Sequence, residues 1–592
     1  MSNSYTGADL ISDFIAEHMF SKVFLVTGGA CAFIVDAIGR NSNTDYVCFQ
    51  HEQAAAMAAD AVWRTTGKLG VTVATSGPGA TNLITGMACS WFDSVPSFHI
   101  TGQVNQSESR EVVGANVRQA GFQETDIVKM VSSITKFAKK ITSIEDLVES
   151  LPLALNLATS GRMGPVLLDV PMNIQKAYVN DYQKNNALKL ITKTKIGMSP
   201  NKNLIKNFIR QTKRPIVLIG AGVGLSGTAT QVQNWCEENN IPYTSSWGAL
   251  AYLDRSRALY QGSIGVYGSR HANWAIQSAD CIVVLGSRLD NRQRTGNPNG
   301  FAPFAKILVV DVDEEELKKY KSQPNYQTET FDLHNVSELL QDLSLEVESW
   351  NSNLKLSKAT LKDGFSAAVY PGQFNPYDAV RIAQRKFKSN ALVVSDCGAN
   401  LCWTYQAYEP DDSFIFTAGG NSPMGYSLPA AIGAQIANPD KPVYCFIGDG
   451  GLQMNIQEIQ TLVAYNLPIK IFIQNNFGYG IIKQFQDAYF ESRHFATGIG
   501  YTIPSFEKIA DAYGLFYIKV NNAEEFEKID IPDGIAIIDI HLPENSLITP
   551  KTEMNRFIHD QFPYISDNSI SELPFNYPER PSELSGESNP TV

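Results

Sequence analysis

The sequence has no excess of positive charge, no long apolar run and no recognisable leader, and each absence excludes a class of protein. Its 48 Lys and Arg residues are outnumbered by 60 Asp and Glu residues, giving a net charge of −12 at pH 7. This balance argues against non-specific nucleic-acid binding. No apolar run reaches the ~18 residues that a membrane-spanning helix needs. Residues 1–14 lack the basic and apolar regions of a secretion signal. We therefore expect no nucleic-acid partner and no membrane partner.

The cysteines are also few and scattered, and no two of them form a CxxC pair. Zinc sites and disulfide frameworks require cysteines at characteristic spacings, so this pattern favours reduced thiols in a cytoplasmic protein. The eight cysteines are Cys31, Cys48, Cys89, Cys236, Cys281, Cys397, Cys402 and Cys445.

What the chain does have is a repeated alternation of short apolar strands, polar or glycine-rich loops, and helices. A length of 592 residues suggests two to four domains. The alternation predicts doubly wound parallel sheets in three blocks, residues 1–186, 200–345 and 370–560. A tail at 565–592, rich in Ser, Pro, Glu and Asn, is expected to be mobile. The predicted strands lie at 23–26, 46–49, 70–75, 97–101, 165–170, 215–219, 281–285 and 306–310, with further runs beginning at 392, 443 and 469.

Two of these runs, which begin at Val443 and Ile469, end in the sequences GDGG and NNFGYG. Apolar spacing predicts a helix over 452–465 between them, so the unit is strand–helix–strand and both strands end at one edge of a parallel sheet. Asp449 and Asn476 should then lie side by side. One carboxylate, one amide oxygen and loop carbonyls suit Mg²⁺ together with a phosphate. The alternative is an ordinary turn with a capping Asp.

Glu52 is a second candidate because it stands at a strand end, before an alanine-rich helix over 54–64. A carboxyl group in such apolar surroundings can share a proton with a ring nitrogen. The alternative is a glutamate that interacts favourably with the helix dipole.

The motifs together identify a family resemblance. GDG followed by NN resembles the diphosphate-binding motif of thiamine-diphosphate (ThDP) enzymes. The segments HEQAAAMAADAVWRTTGKLGV, TSGPGATNLITGMACSWFDSVP and ITGQV resemble the pyrimidine-binding domain of acetohydroxyacid (acetolactate) synthases. The resemblance covers about 1–560. It implies a pyrimidine-binding first domain, a central domain, and a third domain that binds the diphosphate and Mg²⁺.

The resemblance implies catalytic roles for a few residues. Glu52 is implied to hydrogen-bond the aminopyrimidine ring and activate ThDP, and His51 and Gln123 are implied to line the reacting centre. Met424 is implied to support the thiazolium ring; without the surrounding motif, a core methionine would be the preferred interpretation.

It also implies the residues that hold the cofactor. Asp449, Asn476 and the Gly478 carbonyl would bind Mg²⁺. The further implied ThDP contacts are Gly29, Ser76, Asn82, Gly398, Asn400, Ser422, Gly448, Gly450, Gly451, Tyr479, Gly480 and Ile481.

The central domain resembles the part of these synthases that binds FAD in a structural role. The implied flavin residues are Gly220, Gly222, Gly268, Arg288 and Asp311. Because many relatives keep this domain without the flavin, FAD binding stays an open alternative. Arg292 aligns with an arginine that holds the carboxylate of the second 2-oxo acid; the alternative is a salt bridge at the surface or in the flavin pocket.

Several acceptor-side positions depart from the family. Met172 stands where the family has a lysine, and Phe485 stands where it has a tryptophan. The loop 105–121 is longer than its counterpart and carries Arg110 and Arg118. These changes leave the cofactor residues intact and weaken a role in branched-chain amino-acid synthesis.

The predicted function is a ThDP- and Mg²⁺-dependent carboligase. It would decarboxylate a 2-oxo acid, which the resemblance implies is pyruvate, and transfer the two-carbon unit to an acceptor carbonyl in a cytoplasmic homodimer or homotetramer. The alternatives are transfer to a nucleotide-linked keto sugar in surface-polysaccharide synthesis, simple decarboxylation, and a scaffold that has lost catalysis.

Overall fold

The computed structural model describes residues 4–114, 117–189, 202–296, 298–343, 347–554, 556–571 and 573. Two residues of the loop 105–121, most of the predicted linker before residue 202, and 574–592 of the predicted tail lie outside this part of the chain. No helix within the described ranges is long and apolar enough to cross a membrane.

Three six-stranded parallel sheets form the body of the molecule, which confirms the predicted fold class. The first has the order β2-β1-β3-β4-β6-β5, the second β12-β11-β10-β7-β8-β9, and the third β14-β13-β15-β16-β18-β17; β19 and β20 form a separate antiparallel pair. The strands are β1 Lys22–Leu25, β2 Asp45–Cys48, β3 Gly70–Ala74, β4 Ser97–Gln103, β5 Phe137–Lys140, β6 Val166–Pro171, β7 Pro215–Ile219, β8 Tyr243–Ser245, β9 Tyr260–Ser263, β10 Cys281–Leu285, β11 Lys306–Asp311, β12 Tyr326–Thr330, β13 Leu392–Ser395, β14 Phe414–Phe416, β15 Val443–Gly448, β16 Lys470–Asn475, β17 Phe516–Val520, β18 Ala536–His541, β19 Lys551–Thr552 and β20 Gln561–Phe562.

Helices cover both faces of each sheet, as crossovers between parallel strands require. They are α1 Gly7–His18, α2 Ala32–Arg40, α3 Glu52–Thr66, α4 Pro78–Asn82, α5 Ile84–Asp93, α6 Arg110–Val113, α7 Ile127–Val131, α8 Ile144–Thr159, α9 Met172–Lys176, α10 Asp181–Ala187, α11 Leu204–Ile209, α12 Ala221–Leu225, α13 Ala229–Glu238, α14 Arg270–Ser278, α15 Asn291–Arg294, α16 Glu314–Lys318, α17 Glu348–Thr360, α18 Pro376–Arg385, α19 Ala399–Ala407, α20 Ser427–Ala437, α21 Asp449–Met454, α22 Ile459–Ala464, α23 Gly480–Tyr489, α24 Phe506–Tyr513, α25 Ala523–Lys528 and α26 Asp567–Ser571.

The first and third domains meet through helices α3 and α20, which are rich in small residues. A Cβ at Gly433 would lie 2.3 Å from the Ala58 carbonyl oxygen, so the two backbones approach as closely as a glycine permits. The Tyr426 hydroxyl donates a 2.5 Å hydrogen bond to the buried Asp60 carboxylate. This packing fixes the loops before both helices relative to each other.

The prediction of a single helix over 452–465 is wrong. The chain forms α21, a 3₁₀ turn over Ile456–Glu458, and then α22. Asn455 interrupts the helix with φ −134° and ψ 30°. Its side chain is buried, and the Nδ2 group donates to the Gly425 carbonyl oxygen at 2.8 Å. This tertiary hydrogen bond holds Asn455 outside the helical conformation that the apolar spacing favours.

The chain remains packed beyond β18, along the second domain. Asn273 donates to the Ile558 carbonyl oxygen at 2.9 Å, and Gln561 donates to the Gly268 carbonyl oxygen at 2.9 Å. Within the predicted tail, Leu573 is buried in the core of the second domain.

Candidate functional site

The carboxyl ends of β15 and β16 carry the predicted metal ligands. Asp449, the first residue of α21, is 2% exposed. Its Oδ1 accepts from the Gly450 N–H at 2.8 Å, and its Oδ2 accepts from the Gly478 N–H at 3.1 Å. Burial raises the pKa of this carboxyl group to about 6. The Gly478 hydrogen bond joins the two loops, as the parallel pairing of their strands predicts.

Asn476 lies buried in the same corner. Its Nδ2 group finds no hydrogen-bond acceptor within the part of the chain that the structure describes. A Cβ at Gly480 would lie 2.8 Å from this nitrogen, and a Cβ at Gly450 would lie 2.5 Å from the Tyr479 ring. An unpartnered buried N–H donor at this position would suit an acceptor such as a phosphate oxygen. Among the described residues, no group of three or more His, Cys, Asp or Glu side chains could hold a metal ion, so a cation at this corner would depend mainly on neutral oxygens beside Asp449.

The side chain of Asn400, in the first turn of α19, is hydrogen-bonded within the protein. The Asn400 Oδ1 accepts from the Ser395 hydroxyl at 3.2 Å, and its Nδ2 donates to the Gln474 Oε1 at 2.5 Å. The side chain therefore braces β13 against β16. Gly398, with φ +80°, turns the chain into α19. Ile481 lies 3.9 Å from the position of a Cβ at Gly398.

Asp396 is a residue that the sequence analysis missed. Its Oδ2 accepts from the Gly425 N–H at 3.0 Å, and its Oδ1 accepts from the Tyr426 N–H at 2.9 Å. Burial raises the pKa of this carboxyl group to about 7. Asp396 thus holds the turn that carries Met424 and, with φ +51°, Ser422. Its position at the end of a predicted strand is the signal that could have found it.

Met424 lies across from the predicted catalytic residues of the first domain. A cavity of about 490 Å³ is lined by Met424, His51, Gln53, Met454 and Asn455. The Gln53 Nε2 donates to the Asn455 Oδ1 at 3.3 Å, which joins the two sides of the cavity.

Glu52 is the first residue of α3, and it is buried. Its Oε2 accepts from the Asn82 Nδ2 at 2.9 Å. A Cβ at Gly79 would lie 3.1 Å from the Oε1, so the glycine leaves room beside that oxygen. His51 caps the helix by accepting the Gln53 N–H on its Nδ1 at 3.1 Å. Both the catalytic and the helix-dipole interpretation place Glu52 in this first turn.

Glu458, which the sequence analysis also missed, supports the segment before Glu52. Its buried Oε1 accepts from the Gln50 N–H at 3.2 Å, and its Oε2 accepts from the Thr461 hydroxyl at 2.7 Å. Burial raises the pKa of Glu458 to about 7.

The loops after β1 and β3 lie at the same sheet edge. Gly29 is exposed with no neighbouring atom near its Cβ position, and Ser76 is buried. The Ala30 N–H donates to the Thr75 hydroxyl at 3.3 Å, which joins the two loops. Gln123 has φ +61° and packs against the turn before α4.

A cavity of about 630 Å³ connects the second domain with the loops of the third. Of the predicted flavin residues, Gly222, Arg288 and Asp311 line it. Gly220 and Gly268 pack against neighbouring backbone instead. A Cβ added at Gly220 would lie 2.1 Å from the nearest backbone atom, and a Cβ added at Gly268 would lie 2.5 Å from it. Burial raises the pKa of Asp311. The other end of the cavity is lined by Gly398, Ser422 and Ile481.

The three predicted substrate residues are not all brought together within one chain. Arg292 lines the larger cavity, where its Nη1 donates to the Tyr267 hydroxyl at 3.1 Å. Phe485 packs in α23 against Tyr489, with ring centroids 4.7 Å apart. Met172 begins α9 at the end of β6. Neither Met172 nor Phe485 lines either of the two cavities.

Comparison with known families gives three matches in chain order. Residues 5–130 match the N-terminal TPP binding domain of thiamine pyrophosphate enzymes, 203–334 match the central domain, and 396–530 match the C-terminal TPP binding domain. With the fold and the glycine-lined corner at Asp449, these matches define a thiamine pyrophosphate-dependent enzyme.

Individual relatives narrow the class. The acetolactate synthase isozyme 1 large subunit of Escherichia coli is 33% identical over 559 residues, 92% of this chain and 95% of the relative. The acetolactate synthase large subunit of Haemophilus influenzae is 31% identical over 565 residues, 92% and 96% of the two chains. Acetolactate synthase 2 of Nicotiana tabacum chloroplasts is 32% identical over 577 residues, 92% and 83% of the two chains. The chain belongs to the acetolactate synthase family and is a ThDP-dependent carboligase of that type.

Proposed function

We propose that the enzyme releases the carboxyl group of pyruvate as CO₂ and transfers the remaining two-carbon unit to an acceptor carbonyl, with a second 2-oxo acid as the first candidate acceptor. The named relatives are acetolactate synthases. The observation that carries the proposal is the corner at β15 and β16, where the buried Asp449 carboxylate is fixed beside the unpartnered Asn476 amide.

Asp449, the Asn476 side-chain oxygen and the Gly478 carbonyl would hold Mg²⁺, and the cation would bind the diphosphate of ThDP. Mg²⁺ prefers one or two carboxylates and completes its shell with phosphate oxygens. The burial of Asp449 supports a cation here, because a positive charge offsets the cost of an ionised buried carboxylate. ThDP, when bound, supplies an electron sink beside the reacting carbon.

Glu52 would hold and return a proton at a ring nitrogen of the pyrimidine. Asn82 fixes one of its carboxylate oxygens, and the space at Gly79 leaves the other accessible. A general acid–base group works best when it is held in one orientation within reach of its partner.

FAD is proposed for the larger cavity, as a bound group that takes no part in the steps above. The volume of this cavity is within the range of cofactor sites. Gly222 and Gly286 approach each other closely and present backbone rather than side chains to the cavity. A nucleotide-linked keto sugar is the second candidate acceptor, because the same cavity reaches Arg292 and exceeds the needs of a small 2-oxo acid. FAD and the keto sugar would compete for this cavity. Flavin absorbance in the purified protein therefore favours FAD as its occupant, and a protein without flavin absorbance favours the keto sugar.

A homodimer or homotetramer in the cytoplasm completes the proposal. Phe122, beside Gln123, is 83% exposed, and Val112 and Val113 of α6 are exposed as well. Large exposed apolar side chains on the segment that carries Gln123 favour a surface that a second subunit covers.

The test is product analysis by mass spectrometry. The protein is incubated with ThDP, Mg²⁺ and pyruvate, alone and with 2-oxobutyrate or a nucleotide-linked keto sugar. A condensation product and CO₂ are expected. Release of acetaldehyde alone would establish a simple decarboxylase instead, and an unchanged pyruvate pool would contradict the proposal.

A further inference from the structure

The second half of α3 and the end of α5 bring two carboxylates and one guanidinium together in the interior. The Arg64 Nε lies 2.6 Å from the Asp60 Oδ1, and its Nη2 lies 2.8 Å from the Asp93 Oδ2. The Asp60 side chain is fully buried, and those of Arg64 and Asp93 are 10% and 14% exposed. Burying charges is costly, so such a network is a poor source of stability and is better suited to fixing the groups that it joins.

Each carboxylate of this network holds a group of the third domain. The Asp60 Oδ1 accepts from the Tyr426 hydroxyl at 2.5 Å, and the Asp93 Oδ1 accepts from the Gly420 N–H at 2.7 Å. A Cβ at Gly420 would lie 2.7 Å from the same Asp93 oxygen, so the loop backbone lies directly against the end of α5. Arg64 therefore connects the two points at which the first domain anchors this loop.

The loop between the anchors, residues 420–426, is a wall that the two cavities share. Ser422 lines the larger cavity, and Met424 lines the smaller one. The Asn421 Nδ2 also donates to the Thr85 carbonyl oxygen of α5 at 3.4 Å. A shift of the anchors would therefore move side chains of both cavities.

The two halves of the loop are supported differently. Asp396 and Asn455, which belong to the third domain, hold the Gly425 N–H and carbonyl oxygen after Met424. The half before Met424 is held from the first domain, through the hydrogen bond of Gly420 to α5. The first-domain network thus braces the half that its own domain holds less firmly.

Asp93 is an unfavourable residue for α5 itself. It is the last residue of the helix, where the negative end of the helix dipole repels a carboxylate. Arg64 offsets this repulsion, and the Gly420 N–H uses the carboxylate as an acceptor. Support of the loop therefore explains an aspartate here better than the stability of the helix does.

We propose that the network Asp60–Arg64–Asp93 positions the loop 420–426 for the reaction, and that Asp93 is a positioning residue that acts through Met424. This refinement rests on the proposed function and on the support that the resemblance implies for the thiazolium ring from Met424. Without the Gly420 anchor, the loop can occupy other positions, and the cofactor loses part of its support while the Asp449 corner is unchanged.

The experiment measures ThDP binding by calorimetry in the presence of Mg²⁺. Asp93→Ala should weaken binding by about 10-fold, as expected for loss of a hydrogen bond to a charged group. Asp93→Asn keeps an oxygen for the Gly420 N–H and should recover part of that loss. Tyr444→Phe is the control, because it removes a buried hydroxyl that accepts from the Lys388 N–H near the start of β15; its ThDP affinity should equal that of the wild type.

A double-mutant cycle separates positioning from a general structural role. In a Met424→Ala protein, Asp93→Ala should weaken ThDP binding by no more than about 2-fold further, because no methionine is left to be misplaced. An equal loss with and without Met424 would show a structural role and overturn the proposal, as would an Asp93→Ala protein with wild-type affinity.

Tyr426→Phe breaks the other anchor with little change in volume, and it replaces Asp93→Ala in the same cycle if that variant does not fold. We expect it to weaken ThDP binding by about 3-fold, and only when Met424 is present; wild-type affinity would then overturn the proposal. If the wild type binds ThDP and leaves pyruvate unchanged, the proposed function fails, and the measured affinities still decide the role of the network.

Discussion

The sequence alone could not decide between a catalytic role and a helix-dipole role for Glu52. In the structure, Glu52 lies in the first turn of a helix, and a second side chain fixes its carboxyl group. Its hydrogen bond from Asn82 comes from α4, thirty positions further along the chain. A glutamate that only stabilised the helix dipole would need no such partner. This contact favours a catalytic role and defines its test.

Glu52→Gln keeps the shape and the Asn82 contact but removes the ability to exchange a proton. We expect turnover of pyruvate to fall by about 10²- to 10⁴-fold, the usual contribution of a general acid–base group, while ThDP remains bound. CO₂ release and calorimetric ThDP binding measure the two effects. Glu149→Gln, at an exposed position of α8, is the control. Undiminished turnover in Glu52→Gln would remove Glu52 from the mechanism.

Residues that belong to a local sequence motif could be predicted from the sequence. Residues whose role depends on contacts with distant parts of the chain could not. Asp449 and Asn476 follow apolar strands, and the strands meet as expected. Asp396, Asn455 and Glu458 hold backbone groups that are 29 to 408 positions away along the chain. No local spacing encodes such partners. A polar residue becomes visible as a brace only when the fold has brought its partner near.

At the scale of secondary-structure elements, most of the long apolar strands were predictable, whereas the edge strands other than β2 and the short buried strand β8 were not. β7, β10 and β15 are continuous apolar runs, as expected for strands covered on both faces. β5 and β12 are edge strands with half-buried, polar residues, and their sequences carry no such signal.

The contact between α3 and α20 gives a prediction about packing. Gly433→Ala places a methyl group 2.3 Å from the Ala58 carbonyl oxygen, so the helices must separate. We expect the free energy of unfolding to fall by about 1–3 kcal/mol. Gly39→Ala in α2 is the matched control, because the nearest atom there is 3.6 Å away and alanine favours a helix by up to about 1 kcal/mol. Denaturant titrations of both variants check this; equal stabilities would contradict the close packing.

The strand β6 carries a buried carboxyl group whose ionisation should make stability depend on pH. Burial raises the pKa of Asp169 from 3.8 to about 7 despite hydrogen bonds from Thr101 and Gln103. Between these values the folded state holds one more proton than the unfolded state, so stability falls as pH rises from about 4 to 7.

Asp169→Asn removes this proton. We expect the slope of the unfolding free energy against pH to become less negative by up to about 1.4 kcal/mol per pH unit in that range. Urea titrations at pH 5, 6 and 7 measure it, with the wild type as reference. Parallel slopes for both proteins would show that Asp169 ionises with an ordinary pKa.

At the scale of the whole molecule, the family resemblance implies that the proposed homodimer would bring Glu52 of one subunit opposite Met424 and Asp449 of the other. Glu52→Gln and Asp449→Ala should each be inactive, but co-refolding them in equal amounts should restore about a quarter of wild-type activity. Half of the dimers would be mixed, and one of their two sites would be intact. Activity of the refolded mixture is compared with each variant refolded alone.

A mixture of Glu52→Gln with Asn82→Ala is the control for this experiment. Both changes lie in the first domain, so no intact site can form and no activity should return. Recovery in the control, or none in the first mixture, would contradict a site shared between subunits.

The side-chain amide of Gln406 donates to the carbonyl oxygens of Tyr267 and Pro550, and this connection has a consequence for how such an enzyme can diversify. The cofactor corner is built on β15 and β16, whereas the 549–552 segment is a separate part of the chain that is fixed to the second domain by this amide and by the hydrogen bond from the Thr552 N–H to the Val266 carbonyl oxygen. Mutation, whether natural or in the laboratory, can therefore change the 549–552 segment without moving Asp449 or Glu52. Such an enzyme can vary the residues after its last parallel strand and keep the geometry of its cofactor corner.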